Sequence, residues 1–142
     1  MITIQIKQKM TPSVLSFLKK EWKTADRKYR GKELNWKKHD AIITAYDDKK
    51  LVGTLELNYV AGVMYIEEII VAFSHHKKGI GTVLMNQAEE IAKKEKLHKI
   101  FLETGKTWGI NVFYERLGYK KTGELLRHHG RQDYIQYSKF FD

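Results

Sequence analysis

Val63-Met64-Tyr65-Ile66-Glu67-Glu68-Ile69-Ile70-Val71-Ala72-Phe73 runs without a break into Ser74-His75-His76-Lys77-Lys78-Gly79-Ile80-Gly81-Thr82. The first half is apolar at both parities, with Val63, Tyr65, Ile69 and Val71 on one face and Met64, Ile66, Ile70 and Ala72 on the other. That pattern predicts a central strand covered on both sides. Glu67 and Glu68 interrupt it, and strand alternation sends them to opposite faces. A carboxylate in such a place is paired, hydrated by a cleft, or kept neutral. Two readings stand: an ion pair or a sheet edge, or a general base in a cleft. The second half is a glycine-rich turn that feeds a helix. Free backbone N–H groups at the positive end of a helix suit an anion, and two glycines and two lysines strengthen the case for phosphate. The run is not a Walker A loop, and the three-glycine dinucleotide fingerprint is incomplete. Taken alone, Gly79-Ile80-Gly81 also reads as a plain tight turn.

Downstream, Ile80, Val83, Leu84, Ala88, Ile91 and Ala92 fall on one helical face, with Glu89/Lys93 and Glu90/Lys94 as i, i+4 pairs on the other. A strand over 99–104 follows, then an amphipathic helix carrying Ile110, Phe113, Tyr114 and Leu117 and stopped by Gly118. Strands over about 119–126 and 133–140 flank a His128-His129-Gly130 turn. Upstream, 41–46 and 51–60 read as strands joined at Asp47-Asp48-Lys49-Lys50, and Ala61-Gly62 separates the second from the central strand. Ile2, Ile4 and Ile6 alternate with polar residues in a strand pattern. Thr11 as N-cap and Pro12 at the first helical position then open a helix carrying Val14, Leu15, Leu18 and Trp22. The expected order is βα, βββ, αβ, αββ, an α/β (α+β mixed sheet) class.

The chain has 142 residues, 42% of them apolar, which suits one domain over 1–142. Lys and Arg number 26 against 17 acidic residues, for a net charge of +9. That balance favours an anionic partner without saying which. Nine of the basic residues and three of the acidic ones lie in 19–38, where Trp22, Tyr29 and Trp36 are interleaved. The segment could grip nucleic acid or an acidic acceptor, or be a solvated helix face. The absence of cysteine excludes disulfides, thiolate metal sites and an acyl-cysteine route. Residues 1–9 hold no signal-like apolar run, and nothing approaches the ~18 apolar residues of a membrane span. The expectation is a cytoplasmic protein with no membrane partner.

The strand end at Val71 and the run His76-Lys77-Lys78-Gly79-Ile80-Gly81 together resemble the Arg/Gln-x-x-Gly-x-Gly/Ala signature of the GNAT superfamily of N-acetyltransferases. A second element, Asn111-Val112-Phe113-Tyr114-Glu115-Arg116-Leu117-Gly118-Tyr119, is similar to that family's Phe-Tyr-Glu-Lys-Leu-Gly-Phe segment. The resemblance covers about 51–140. It implies the GNAT-like acyl-CoA N-acyltransferase fold, a mostly antiparallel sheet with splayed middle strands flanked by helices. It further implies acetyl-CoA as co-substrate: backbone groups of Ile69, Ile70 and Val71 against the pantetheine arm, and the turn His76, Lys77, Lys78, Gly79, Ile80, Gly81 and Thr82 around the pyrophosphate. Tyr114 takes the place of the family's general acid, although 110, 113, 114 and 117 also make an ordinary core stripe. Tyr65 to Val71 resembles the strand of diamine acetyltransferases, where the first of two acids is the base. That points to Glu67, with Glu68 as the alternative.

Two positions depart from the pattern. His76 stands where the family has Arg or Gln, and Thr107 where many members have a cofactor-binding Asn, with Asn111 nearby. Adjacent histidines diverge on a strand or turn, so no metal site is expected at His75/His76 or His128/His129. The implied reaction moves acetyl to a primary amine of a small molecule or peptide by direct attack in a ternary complex. Glu67 and Glu68 would suit a polyamine, the basic segment an acidic acceptor. The rival is a non-catalytic module of the same fold that binds acyl-CoA or nucleic acid, with nucleic acid the less favoured partner. Tyr134, Tyr137, Phe140 and Phe141 could support a homodimer.

Overall fold

A computed structural model describes all of residues 1–142. The chain divides into two compact units, 1–35 and 36–142. In the first, α1 spans Pro12–Arg30. Thr11 accepts a hydrogen bond from the Val14 N–H at 3.4 Å, Pro12 opens the helix, and Gly31 closes it in the left-handed conformation at φ 76°. Asp26 is 1% exposed; it accepts from Arg30 at 2.9 Å and from the Leu34 N–H at 3.0 Å, which folds the segment after the helix back along it. The expected strand at 2–6 does not form. This unit holds no second strand to supply ladder partners, and Ile2, Ile4 and Ile6 are all exposed.

The second unit is built from β1 (His39–Asp47), β2 (Lys50–Val60), β3 (Val63–Val71), α2 (Ile80–Lys94), β4 (Lys99–Gly105), α3 (Asn111–Arg116), β5 (Lys120–Leu125) and β6 (Tyr134–Phe140). The six strands form one sheet in the order β1-β2-β3-β4-β6-β5. Every pairing is antiparallel except that of β3 with β4. α2 packs against β1 to β4. Leu55, Leu57, Met64, Ile66, Leu84, Met85, Ala88, Ala92, Ile100, Leu102, Ile135 and Tyr137 form the core beneath it. No helix is long and apolar enough to cross a membrane.

β3 departs from simple alternation. Leu57 pairs with Ile66 but Glu56 pairs with Glu68, so Glu67 is the extra residue of a β-bulge. The bulge shifts the core-facing parity from Met64 and Ile66 to Ile69 and Val71, while Ile70 is 54% exposed. The strand is therefore covered on one face, not two, and Glu67 and Glu68 are both exposed rather than set into opposite buried faces. The stripe on α2 is also rotated. Val83 is exposed, Met85 is buried, and Glu89 is 6% exposed instead of lying on the polar face. Glu89 pairs with Lys139 of β6, whose ammonium also donates to the Leu117 carbonyl at 2.8 Å.

Candidate active site

The parallel pairing of β3 with β4 lasts only three residues, Val63–Tyr65 with Lys99–Phe101. Beyond it the strands part. β4 stays hydrogen-bonded to β6 as far as Gly105, and β3 to β2 as far as Val71. The split leaves the β4-facing backbone edge of the second half of β3 without a strand partner. At its end the Ala72 N–H donates to Val52 at 2.8 Å. The Val71 carbonyl of that same peptide therefore points the other way, into the split.

The turn that follows is held by its histidines. His75 Nε2 lies 2.8 Å from Asp47 Oδ2 and its Nδ1 lies 2.8 Å from Ser74 Oγ, which ties the turn to the β1–β2 hairpin. The hydrogen bond to His75 is the main cause holding Asp47 below the usual carboxylate range. His76 Nε2 donates to the Val71 carbonyl at 2.9 Å, and its ring lies 4.6 Å from that of Phe73. Lys77 and Gly79 then take positive φ, 61° and 80°. Gly79 caps α2 with no side-chain hydrogen bond, and the first turn of the helix carries no acid. Its N–H groups are thus open to an anion. A Cβ on Gly81 would come within 3.3 Å of the Phe113 ring and 4.0 Å of Val71, so glycine there lets α2, α3 and the end of β3 meet closely.

Tyr114 of α3 is 3% exposed, with its ring 5.0 Å from Phe113, 5.8 Å from Tyr137 and 6.3 Å from Tyr119. Burial pushes its hydroxyl up to about 12. Thr107 is exposed in the turn after β4. Asn111 opens α3, and the Tyr137 hydroxyl donates to Glu115 at 3.3 Å. On the bulge, Glu67 accepts a hydrogen bond from the Asn58 amide. The structure thus brings together the end of β3, the turn from His76 to Thr82 and Phe113.

Sequence reasoning missed a second cluster on the sheet face opposite α2. Tyr65 stacks on Phe101 at 4.7 Å, and its hydroxyl donates to Glu103 at 3.5 Å. Burial, followed by the charges of Glu103 and Glu67, raises the Tyr65 hydroxyl. The signal was present in the alternation of Phe101 and Glu103 with Ile100, Leu102 and Thr104. His128 and His129 do not diverge as expected but converge on Glu103.

A parallel strand pair that parts after three residues thus lies beside a helix start with no side-chain cap. Residues 8–119 match the model of the acetyltransferase (GNAT) family, and the chain belongs to that family. No curated protein sequence matches it. Among solved structures, it resembles an acetyltransferase from Bacillus cereus at 17% identity and TM-score 0.72, over 96% of this chain and 98% of that one. It also resembles the PaiA N-acetyltransferase from Thermoplasma acidophilum in complex with coenzyme A, at 17% identity and TM-score 0.62, over 94% and 81%. A third, aminoglycoside 6'-N-acetyltransferase complexed with coenzyme A, has 24% identity and TM-score 0.64 over 71% and 72%. At these identities the likeness establishes the fold alone.

Proposed function

We propose that residues 1–142 work as one N-acetyltransferase domain that moves the acetyl group of acetyl-CoA to a primary amine. The observation that carries this reading is the separation of β3 from β4 beside the uncapped start of α2. Backbone groups of Ile69 to Val71 would take the pantetheine arm, and the amides from Lys77 to Thr82 the pyrophosphate, with Lys77 and Lys78 adding positive charge. His76 already occupies the Val71 carbonyl, so the arm must either leave that carbonyl to the imidazole or displace it. Two of the solved relatives hold coenzyme A, which agrees with this assignment.

An alkyl amine with a pKa near about 10.4 arrives protonated at neutral pH and must lose a proton before it attacks. Glu67 is the candidate acceptor of that proton, directly or through water, with Asn58 orienting its carboxylate. Glu68, one residue on and equally exposed, is the alternative. The amine nitrogen then forms the new C–N bond as the thioester C–S bond breaks and the sulfur leaves with the electron pair. With no cysteine to carry an acyl group, transfer proceeds in a ternary complex. A Tyr114 hydroxyl near 12 facing a thiolate of about 8.5 does best as a hydrogen-bond donor, because full proton transfer would run uphill by about 5 kcal/mol.

The test is the thermal midpoint with and without acetyl-CoA, with adenosine as the control that lacks pyrophosphate and pantetheine. Acetyl-CoA at about 100 times its dissociation constant adds about 2.7 kcal/mol, so a clear rise is expected with it and none with adenosine. Equal midpoints in all three would overturn the reading. Affinity for DNA that falls steeply with salt would then point to a non-catalytic nucleic-acid module.

A further inference from the structure

We propose that Glu103, His128 and His129 form a binding site for one divalent transition-metal ion. Two imidazoles and a carboxylate, with no thiolate, select zinc, nickel or cobalt over calcium or magnesium. The site uses none of the residues assigned to acetyl transfer, so it stands or falls apart from that reading.

One ligand atom from each of the three residues lies within 4.8 Å of the other two. Glu103 is distant in sequence from the adjacent His128 and His129, and the sheet register brings it to them. Thr104 pairs with Ile135 and Gly105 with Tyr134, which carries the β5–β6 turn back over Glu103. The turn itself is tied down. The His128 N–H donates to the Gln132 carbonyl at 2.8 Å, and the Arg127 N–H donates to the Asp133 carboxylate at 2.9 Å. Two of the three ligands therefore sit on backbone that is already fixed, which lowers the ordering cost of binding.

The strongest single observation is His128 Nε2. The atom is shielded from solvent, though the side chain as a whole is 31% exposed, and it makes no hydrogen bond although Glu103 Oε2 lies 3.3 Å away. The nitrogen thus faces a carboxylate without a formed hydrogen bond, and a metal ion held by both would satisfy it. Ligand atoms bonded at about 2.0–2.1 Å in a tetrahedral site stand about 3.3 Å apart, which is the spacing already present between these two. His129 is exposed, with a ring nitrogen within 4.8 Å of the ligand atoms of His128 and Glu103. Tyr65 supplies an outer contact through its hydrogen bond to Glu103 at 3.5 Å. Tyr134 stands edge-on to both imidazoles, at 5.0 and 5.6 Å. A simple ion pair between His128 and Glu103 would explain their approach but not the missing hydrogen bond, and packing of His129 against His128 at 4.2 Å and against Tyr134 holds a second imidazole at the same place.

The test is titration of the metal-stripped full chain with Co2+, followed by visible absorption. One equivalent should produce the intense d–d bands of a low-coordinate cobalt ion, and Zn2+ should displace it and raise the thermal midpoint. Glu103→Gln and His129→Asn should each weaken binding by at least ~100-fold, and Tyr65→Phe by ~10-fold, the scale of an outer contact. His75→Asn should leave the titration unchanged. His129 is exposed, so the metal-free His129→Asn protein should melt like the parent, which separates a lost ligand from a lost fold. No saturable cobalt spectrum in the parent, or one that survives both Glu103→Gln and His129→Asn, would overturn the proposal.

Discussion

Tyr114 sits in the core, 3% exposed, with its hydroxyl pushed up to about 12 by burial. Replacing it with Phe keeps the ring contacts and removes only a donor. If that donor meets the departing sulfur, the loss is one hydrogen bond to a charged group, about 1.5–3 kcal/mol, or roughly 10–100-fold in kcat. Steady-state kinetics of Tyr114→Phe should show that drop with the KM for acetyl-CoA unchanged, and an unaltered kcat would leave Tyr114 a packing residue. Because its folded pKa is raised, Tyr114 contributes stability that is complete below the unfolded value near 10 and is lost as pH rises toward about 12. Alkaline unfolding followed by circular dichroism should therefore begin earlier in the parent than in Tyr114→Phe. Gly62 offers a purely structural test. Its φ is 86°, and any Cβ there would run into the His98 ring. Gly62→Ala should cost about 1–3 kcal/mol in denaturant melts.

The bulge at Glu67 explains how far the sequence could be read at the level of elements. Strand existence was legible because Val63 to Val71 is rich in β-branched and aromatic residues. Its facing was not, because a single unpaired residue reverses parity and leaves no trace in composition. The same limit applies to α2, where Glu89 looks like a surface i, i+4 partner until Lys139, fifty residues on in the chain, arrives beside it. The glycine-rich turn and the α3 helix were legible because their conformations depend on local backbone. The site at Glu103 and His128 was not, since only the β4–β6 register brings those residues together. The short strand at 2–6 failed for lack of a neighbour within its unit. Between elements, Lys106 in the turn after β4 pairs with Glu124 of β5 at 2.7 Å. The hydrogen bond to Lys106 lowers Glu124, and the hydrogen bond to Glu124 raises Lys106. The Glu124 contribution is present above its ordinary value of 4.5 and lost as pH falls through the lowered one. The Lys106 contribution is complete below 10.5 and lost as pH rises through the raised one. Both groups face solvent, so the difference in melting temperature between the parent and Glu124→Gln should be small, flat across that window, and diminished by added salt.

At the scale of the whole chain, the +9 charge is concentrated in 19–38, and on α1 the residues Lys19, Lys20, Lys23 and Arg27 line one shallow groove with Ser16 and Thr24. A net charge of +9 raises the local concentration of anions, so acetyl-CoA, itself anionic, should bind with an association rate that falls as salt rises. Stopped-flow binding should show that dependence with the dissociation rate nearly unchanged. The proposed reaction couples an amine to the acetyl group directly. The absence of cysteine makes that coupling easy to watch, because every free thiol that appears in solution is released coenzyme A. The decisive measurement is therefore thiol release from acetyl-CoA against a panel of primary amines, from polyamines to acidic peptides, with both substrates varied. Release should require an amine, show no burst without one, and give intersecting initial-rate lines as a ternary complex demands. No release with any amine, or a stoichiometric burst of thiol in the absence of amine, would contradict it.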